Sequence, residues 1–121
     1  MNAEPRTAVV DVFVTKSVEI DEPSWCAGHQ DDRAEYKVDI THDGPEHVIA
    51  PGGRELFRAS LTQAPFASVD RTIGLYVEVA NLTRTYTPDE VAQLADDLEA
   101  AAVRLRELGR ELAALLGGET R

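Results

Sequence analysis

One cysteine, a shortage of positive charge and the lack of any long apolar run set the first limits on this chain. Cys26 is the only cysteine, so no internal disulfide can form, and the thiol is left for packing, metal binding or pairing with another molecule. No stretch of eighteen apolar residues exists, and Met1–Arg6, with Glu4 and Pro5, lacks the basic start and apolar centre of a secretory signal. The expectation is a cytoplasmic protein with no membrane span. Lysine and arginine total 12 against 22 aspartates and glutamates, a formal charge of −10. That field repels a phosphate backbone and anionic lipid, so direct nucleic-acid binding is not expected. Internal repeats, low-complexity tracts and linkers are also missing, and 121 residues is the size of one domain with one core.

The charge is unevenly spread. Asp21–His47 holds eight carboxylates against Arg33 and Lys37, whereas Arg54, Arg58, Arg71 and Arg84 fall in later segments. A solvated acidic surface is the plain reading of such a lobe.

Hydropathy patterning predicts an α+β fold, an antiparallel sheet of about four to five strands covered by one long C-terminal helix. Residues 8–15 place Val10, Val12 and Val14 on one face of a strand; Tyr36, Val38 and Ile40 alternate with polar residues over 35–41. Residues 55–62 turn Phe57, Ala59 and Leu61 inward, and residues 71–80 turn Ile73, Leu75, Val77 and Val79 inward. Residues 20–34 read as a loop anchored by Trp25, and short turns between the strands favour a meander.

The helix is expected over 88–116. Thr87-Pro88-Asp89-Glu90 supplies a hydroxyl N-cap, a proline at the first helical position and a glutamate that completes a capping box, and Gly117-Gly118 is expected to stop it. Val91, Leu94, Leu98, Ala101, Leu105, Leu108, Leu112 and Leu115 then recur at spacings of three and four. One flank of this stripe (Ala95, Ala102, Gly109, Leu116) is uncharged, which suits covering a sheet better than a two-stranded coiled coil. Thirty helical residues span about 45 Å, whereas an eight-residue strand spans about 27 Å. The ridge Leu105, Leu108, Leu112 and Leu115 is therefore expected to be exposed in part and to serve as an interface in a homodimer or with a partner protein. Gly109 is the weak point, costing about 1 kcal/mol relative to alanine.

Cys26, His29, His42 and His47 lie within 22 residues in a C-x2-H-x12-H-x4-H pattern. Thiolate and imidazole together form a ligand set that Zn2+ favours, and the loop lengths are those of a small zinc site. A DNA-reading finger is not expected, because Asp43-Gly44-Pro45 between the last two histidines cannot be helix interior. The candidate is a loop clamp, a structural zinc holding the Trp25 loop to the strand before His42. The bland reading has Cys26 as a small buried hydrophobe and the histidines on the surface. A nucleophilic Cys26 aided by His29 would need an oxyanion hole that the sequence does not reveal. Asp31-Asp32 lacks the rest of an EF-hand loop, and Gly52-Gly53 is not followed by a phosphate-loop lysine.

Pro23-Ser24-Trp25-Cys26 followed by His29, then His42-Asp43-Gly44-Pro45, several strands and a helix opened by Thr87-Pro88-Asp89-Glu90 together resemble a family of short, uncharacterised actinobacterial proteins. That family carries a Trp-Cys then His signature and a terminal Ala/Leu-rich helix. The resemblance covers roughly residues 23 to 105 and implies Cys26, His29 and His42 as a recurring set, with His47 as a less regular fourth member. It implies no activity. The leading expectation is a non-enzymatic protein-association domain with a structural zinc; the alternative is a small zinc- or cysteine-dependent enzyme using Cys26, His29 and His42.

Overall fold

A computed structural model describes residues 5–12, 16–29, 33–34 and 36–119. The fold is α+β, with two sheets built largely from antiparallel pairs and one long C-terminal helix. The strands are β1 (Arg6–Val12), β2 (Lys16–Glu22), β3 (Arg33–Ala34), β4 (His42–Asp43), β5 (His47–Ile49), β6 (Phe57–Gln63) and β7 (Gly74–Val79), and the helix α1 is Pro88–Glu119. Two compact units divide the chain, one made of the residues up to Pro45 with Leu61–Gly74, the other of Glu46–Ser60 with Leu75 onward.

In the first unit β1 and β2 form a hairpin with Ala8 opposite Ile20 and Val10 opposite Val18, and β3 adds a short parallel pairing to β1. Val10, Ile20 and Ile40 are its buried core, with Ala8, Val18 and Phe66 packed around them. β2 departs from the expectation: Val18 and Ile20 alternate with Ser17, Glu19 and Asp21, and its last three residues replace the start of the loop expected over 20–34. The expected strand over 35–41 is replaced by a 3-10 turn at Lys37–Asp39. The Tyr36 amide donates to Asp39 Oδ2 at 3.2 Å, which closes the chain on itself and leaves Tyr36 and Val38 exposed while Ile40 enters the core. β4 pairs with the end of β6, His42 opposite Gln63 and Asp43 opposite Thr62. Phe13, Val14 and Thr15, expected to complete the first strand, and Asp31-Asp32 lie outside the described residues.

In the second unit β5 pairs antiparallel with the start of β6, Ile49 opposite Phe57, and β7 also pairs with β6. Leu56 is fully buried, and the amide of Ala80, just past β7, donates to its carbonyl. The helix lays Leu94, Ala101, Leu105 and Leu108 over Ile49, Leu56, Phe57, Ala59 and Leu75. Each such leucine withdrawn from water contributes about 1.5–3 kcal/mol. Val77 and Val79, expected inward on the last strand, are instead exposed.

The capping box is present as expected: the Glu90 amide donates to Thr87 Oγ1 and the Thr87 amide to Glu90 Oε1. Two details of the helix differ. It runs through Gly117 to Glu119, because glycine lowers helix propensity without removing a hydrogen-bond donor. Its buried line also passes through Asp97 rather than Leu98, which is 37% exposed. Asp97 is buried against the Pro51-Gly52-Gly53 turn and accepts a hydrogen bond from Gln93 Nε2 at 2.8 Å. Among the described residues no helix is long and apolar enough to cross a membrane.

Candidate metal centre

Four side chains of the first unit converge: Glu22 at the end of β2, Cys26 and His29 from the loop that follows, and His42 from β4. The hairpin register sets Glu22 opposite Arg6, whose guanidinium lies 3.1 Å from Glu22 Oε2. Arg6 also donates to the carbonyls of Pro23 and Cys26, so the strand end and the loop are held by one cation. The loop turns at once, with the Cys26 amide bonded to the Pro23 carbonyl. Its next residue joins β4, the Ala27 amide donating to the Asp43 carbonyl at 2.8 Å. Gly28 then adopts φ +109°, a region that favours glycine, and carries the chain back so that His29 faces Cys26. Trp25 packs against Gly44, where an added Cβ would come within 3.2 Å of the Trp25 carbonyl oxygen, and meets His42 edge-on at 6.2 Å.

The donor atoms of these four residues all lie within 4.8 Å of one another. His29 Nε2 is 3.0 Å from Glu22 Oε1, 3.3 Å from His42 Nδ1 and 3.5 Å from Cys26 Sγ. Metal–ligand bonds of about 2.0–2.3 Å in a tetrahedron separate neighbouring ligand atoms by roughly 3.3–3.8 Å. The three spacings from His29 Nε2 lie within or just under that range. Nε2 carries either one hydrogen or one lone pair, so at most one of the three contacts is a two-centre hydrogen bond. Glu22 Oε1 is buried, and among the described residues no hydrogen bond of regular geometry reaches it. Glu22, Cys26, His29 and His42 could each offer one ligand atom to a cation held between them. One thiolate and one carboxylate also neutralise a divalent ion, which removes the cost of a net charge in a buried place.

Cys26, His29 and His42 are all buried. Burial pushes the Cys26 thiol above its ordinary range, the Gly28 amide partly opposing that and Glu22 adding to it. Burial also lowers His42, and the neighbouring His29 lowers it further. Without a cation the site therefore holds a protonated thiol and a neutral His42 imidazole.

Three of the four expected ligands are thus brought together, and His47 is not among them. His47 lies on β5 in the second unit, its Nδ1 3.5 Å from Arg104 Nη2. The fourth side chain beside Cys26, His29 and His42 is Glu22, which a search confined to thiols and imidazoles passes over. On the helix, Leu108 is buried against the strands of its own unit and Leu105 packs beside it, while Leu112 and Leu115 are half-buried. Of the four leucines of the expected ridge, only Leu108 is buried.

Residues 7–114 match the profile of a domain of unknown function, DUF6907. No curated protein and no solved structure matches the chain. The match spans most of the 121 residues, and the chain belongs to this family.

Proposed function

We propose that this member of the DUF6907 family is a non-enzymatic protein-association domain that binds one Zn2+ through Glu22, Cys26, His29 and His42. The observation that carries the metal reading is the single nitrogen, His29 Nε2, facing three other donor atoms at 3.0–3.5 Å in a buried place. The thiolate and imidazoles select zinc over magnesium or calcium, which prefer all-oxygen sites. The ion would join the end of β2, the Trp25 loop and β4. Metal analysis of protein purified without a histidine tag tests this: one zinc per chain is expected, and a folded, reduced sample that takes up none from zinc-buffered solution overturns it.

A cysteine nucleophile is disfavoured by the same geometry. An activated thiol has a lowered pKa and partial exposure, whereas Cys26 is buried and its thiol is pushed up. Association is assigned to the end of α1, where Leu112 and Leu115 lie beyond the last buried leucine, Leu108. A second copy of the chain is the occupant proposed there, in the reducing cytoplasmic setting that a single free thiol suits.

A further inference from the structure

Two of the four zinc-site residues, Glu22 and His42, also line an open cleft of about 390 Å³, whereas Cys26 and His29 do not. Pro23, Pro65 and Phe66 supply an apolar wall to this cleft, and the exposed carboxylate of Asp21 lies along it. Phe66 is fixed in place, packed on the Val10, Ile20 and Ile40 core with Lys37 Nζ 4.5 Å from its ring centroid. Of the two ligands facing the cleft, Glu22 is the weaker for zinc, and it is already shared: Arg6 Nη2 is 3.1 Å from Oε2 while Oε1 faces His29. Arg6 draws charge away from the metal side and can keep the carboxylate paired if Oε1 lets go. Among the described residues no cation holds His42 in this way, and its ring meets Trp25 edge-on. A zinc left with one cysteine and two histidines has the three-ligand set of sites that accept an external ligand in the fourth position.

We infer that the ion is open on the cleft side, with Glu22 the ligand that yields, and that the cleft takes a small molecule carrying a metal-seeking head on an apolar body. The inference rests on the zinc reading above. The volume is within the range of small-molecule pockets, and the contacts divide as such sites do, polar at the metal and apolar around the body.

Cobalt substitution of the full chain tests it with acetohydroxamate and benzohydroxamate as probes. A thiolate-to-cobalt charge-transfer band in the near ultraviolet reports that Cys26 holds the ion, and the visible d–d bands report its coordination. Both hydroxamates are expected to shift the d–d bands while the charge-transfer band stays. Benzohydroxamate is expected to half-saturate at a concentration at least about tenfold lower, because its ring is buried by the apolar wall. Glu22→Gln, which keeps the shape of the side chain and weakens it as a ligand, is expected to lower both half-saturation concentrations. Unchanged d–d bands overturn the inference and leave the zinc reading standing, as do bands that vanish because the probe strips the metal. A folded protein that shows no charge-transfer band with cobalt overturns the zinc reading itself.

Discussion

Glu22 Oε1 stands 3.0 Å from His29 Nε2, and the second oxygen of the same carboxylate is held by Arg6 at 3.1 Å. A carboxylate with one oxygen paired to a guanidinium and the other aimed at an imidazole nitrogen joins the hairpin to the Trp25 loop, beside the hydrogen bonds from Arg6 to the Pro23 and Cys26 carbonyls. Such an arrangement is costly when its charges are unbalanced. A divalent ion balances it, so folding and metal binding are expected to be coupled in the first unit. Zinc at one hundred times its dissociation constant adds about 2.7 kcal/mol of stability. In a domain of this size that raises the melting temperature by roughly 10 °C, and a chelator reverses it. Differential scanning calorimetry with and without zinc reads this directly; a melting temperature indifferent to both additions contradicts it.

Substitutions separate the ligands from their sequence neighbour. Cys26→Ala and His42→Ala each remove a donor atom and are expected to weaken zinc binding by at least about a hundredfold, since losing even an outer partner of a metal ligand costs ten- to a hundredfold. His47→Ala, two residues beyond the Asp43-Gly44-Pro45 turn that follows His42, is expected to leave the affinity within a factor of about three. Competition titrations against a chromophoric chelator measure all three. A large effect at His47 would restore it to the site.

Cys26, His29 and His42 stand out because thiols and imidazoles are rare in the chain and cluster in one third of it. Glu22 is one of 22 acidic residues, and nothing in its spacing separates it from solvated neighbours; only the hairpin register, which ends β2 beside the loop, gives it a role. The capped start of the helix was readable because its signals are local, a hydroxyl, a proline and a glutamate at fixed offsets. The strand expected at 35–41 failed because alternation says nothing of Asp39 reaching back to the Tyr36 amide. Asp97 was missed for a related reason: a carboxylate on the buried line of a helix is intelligible only once the Gly52 turn is seen beside it.

Proton release follows from the directions of the two shifts. Burial raises the Cys26 thiol above its ordinary value, so it is protonated at pH 7.5 and must give up its proton to bind zinc as thiolate. His42 is shifted the other way, so at that pH it is already neutral and gives up none. About one proton per zinc is therefore expected from Cys26 and His42 together, and the affinity should fall about tenfold for each pH unit from 8 to 7. Isothermal titration in buffers of different ionisation enthalpy counts the protons released. Cys26→Ala, if it still binds weakly, should release about one fewer than the unaltered chain; an unchanged count would remove the thiolate from the site.

The contact between Gly52 and Asp97 gives a test of packing in the second unit. A Cβ at Gly52 would lie 2.6 Å from both carboxylate oxygens of Asp97, closer than side chains tolerate. The carboxylate is buried and bonded to Gln93, so turning it aside sacrifices that bond. Gly52→Ala is expected to cost about 1–2 kcal/mol. In an Asp97→Ala background, where the obstructing oxygens are gone, the same change should cost well under half as much. Urea denaturation of the four proteins of this cycle supplies the coupling; additive effects would show that the turn relaxes away from the helix instead.

The far end of α1 carries the association proposal, and length is the reason to look there. Thirty-two helical residues extend about 48 Å, whereas the seven residues of β6 reach about 23 Å, so the strands cannot cover the helix to its end. Burial by the chain's own core stops at Leu108; Leu112 and Leu115 continue the same line and remain half-buried. Light scattering on full-length protein is expected to give twice the 13.2 kDa chain mass. Leu112→Glu with Leu115→Glu should return the monomer, because two carboxylates on a closed apolar seam have no partner. Val103, 56% exposed and about half a turn away from Leu112 around the helix, is the control: Val103→Glu should leave the mass doubled. A full-length monomer, or a dimer broken equally by both changes, would place association elsewhere than on this end of the helix.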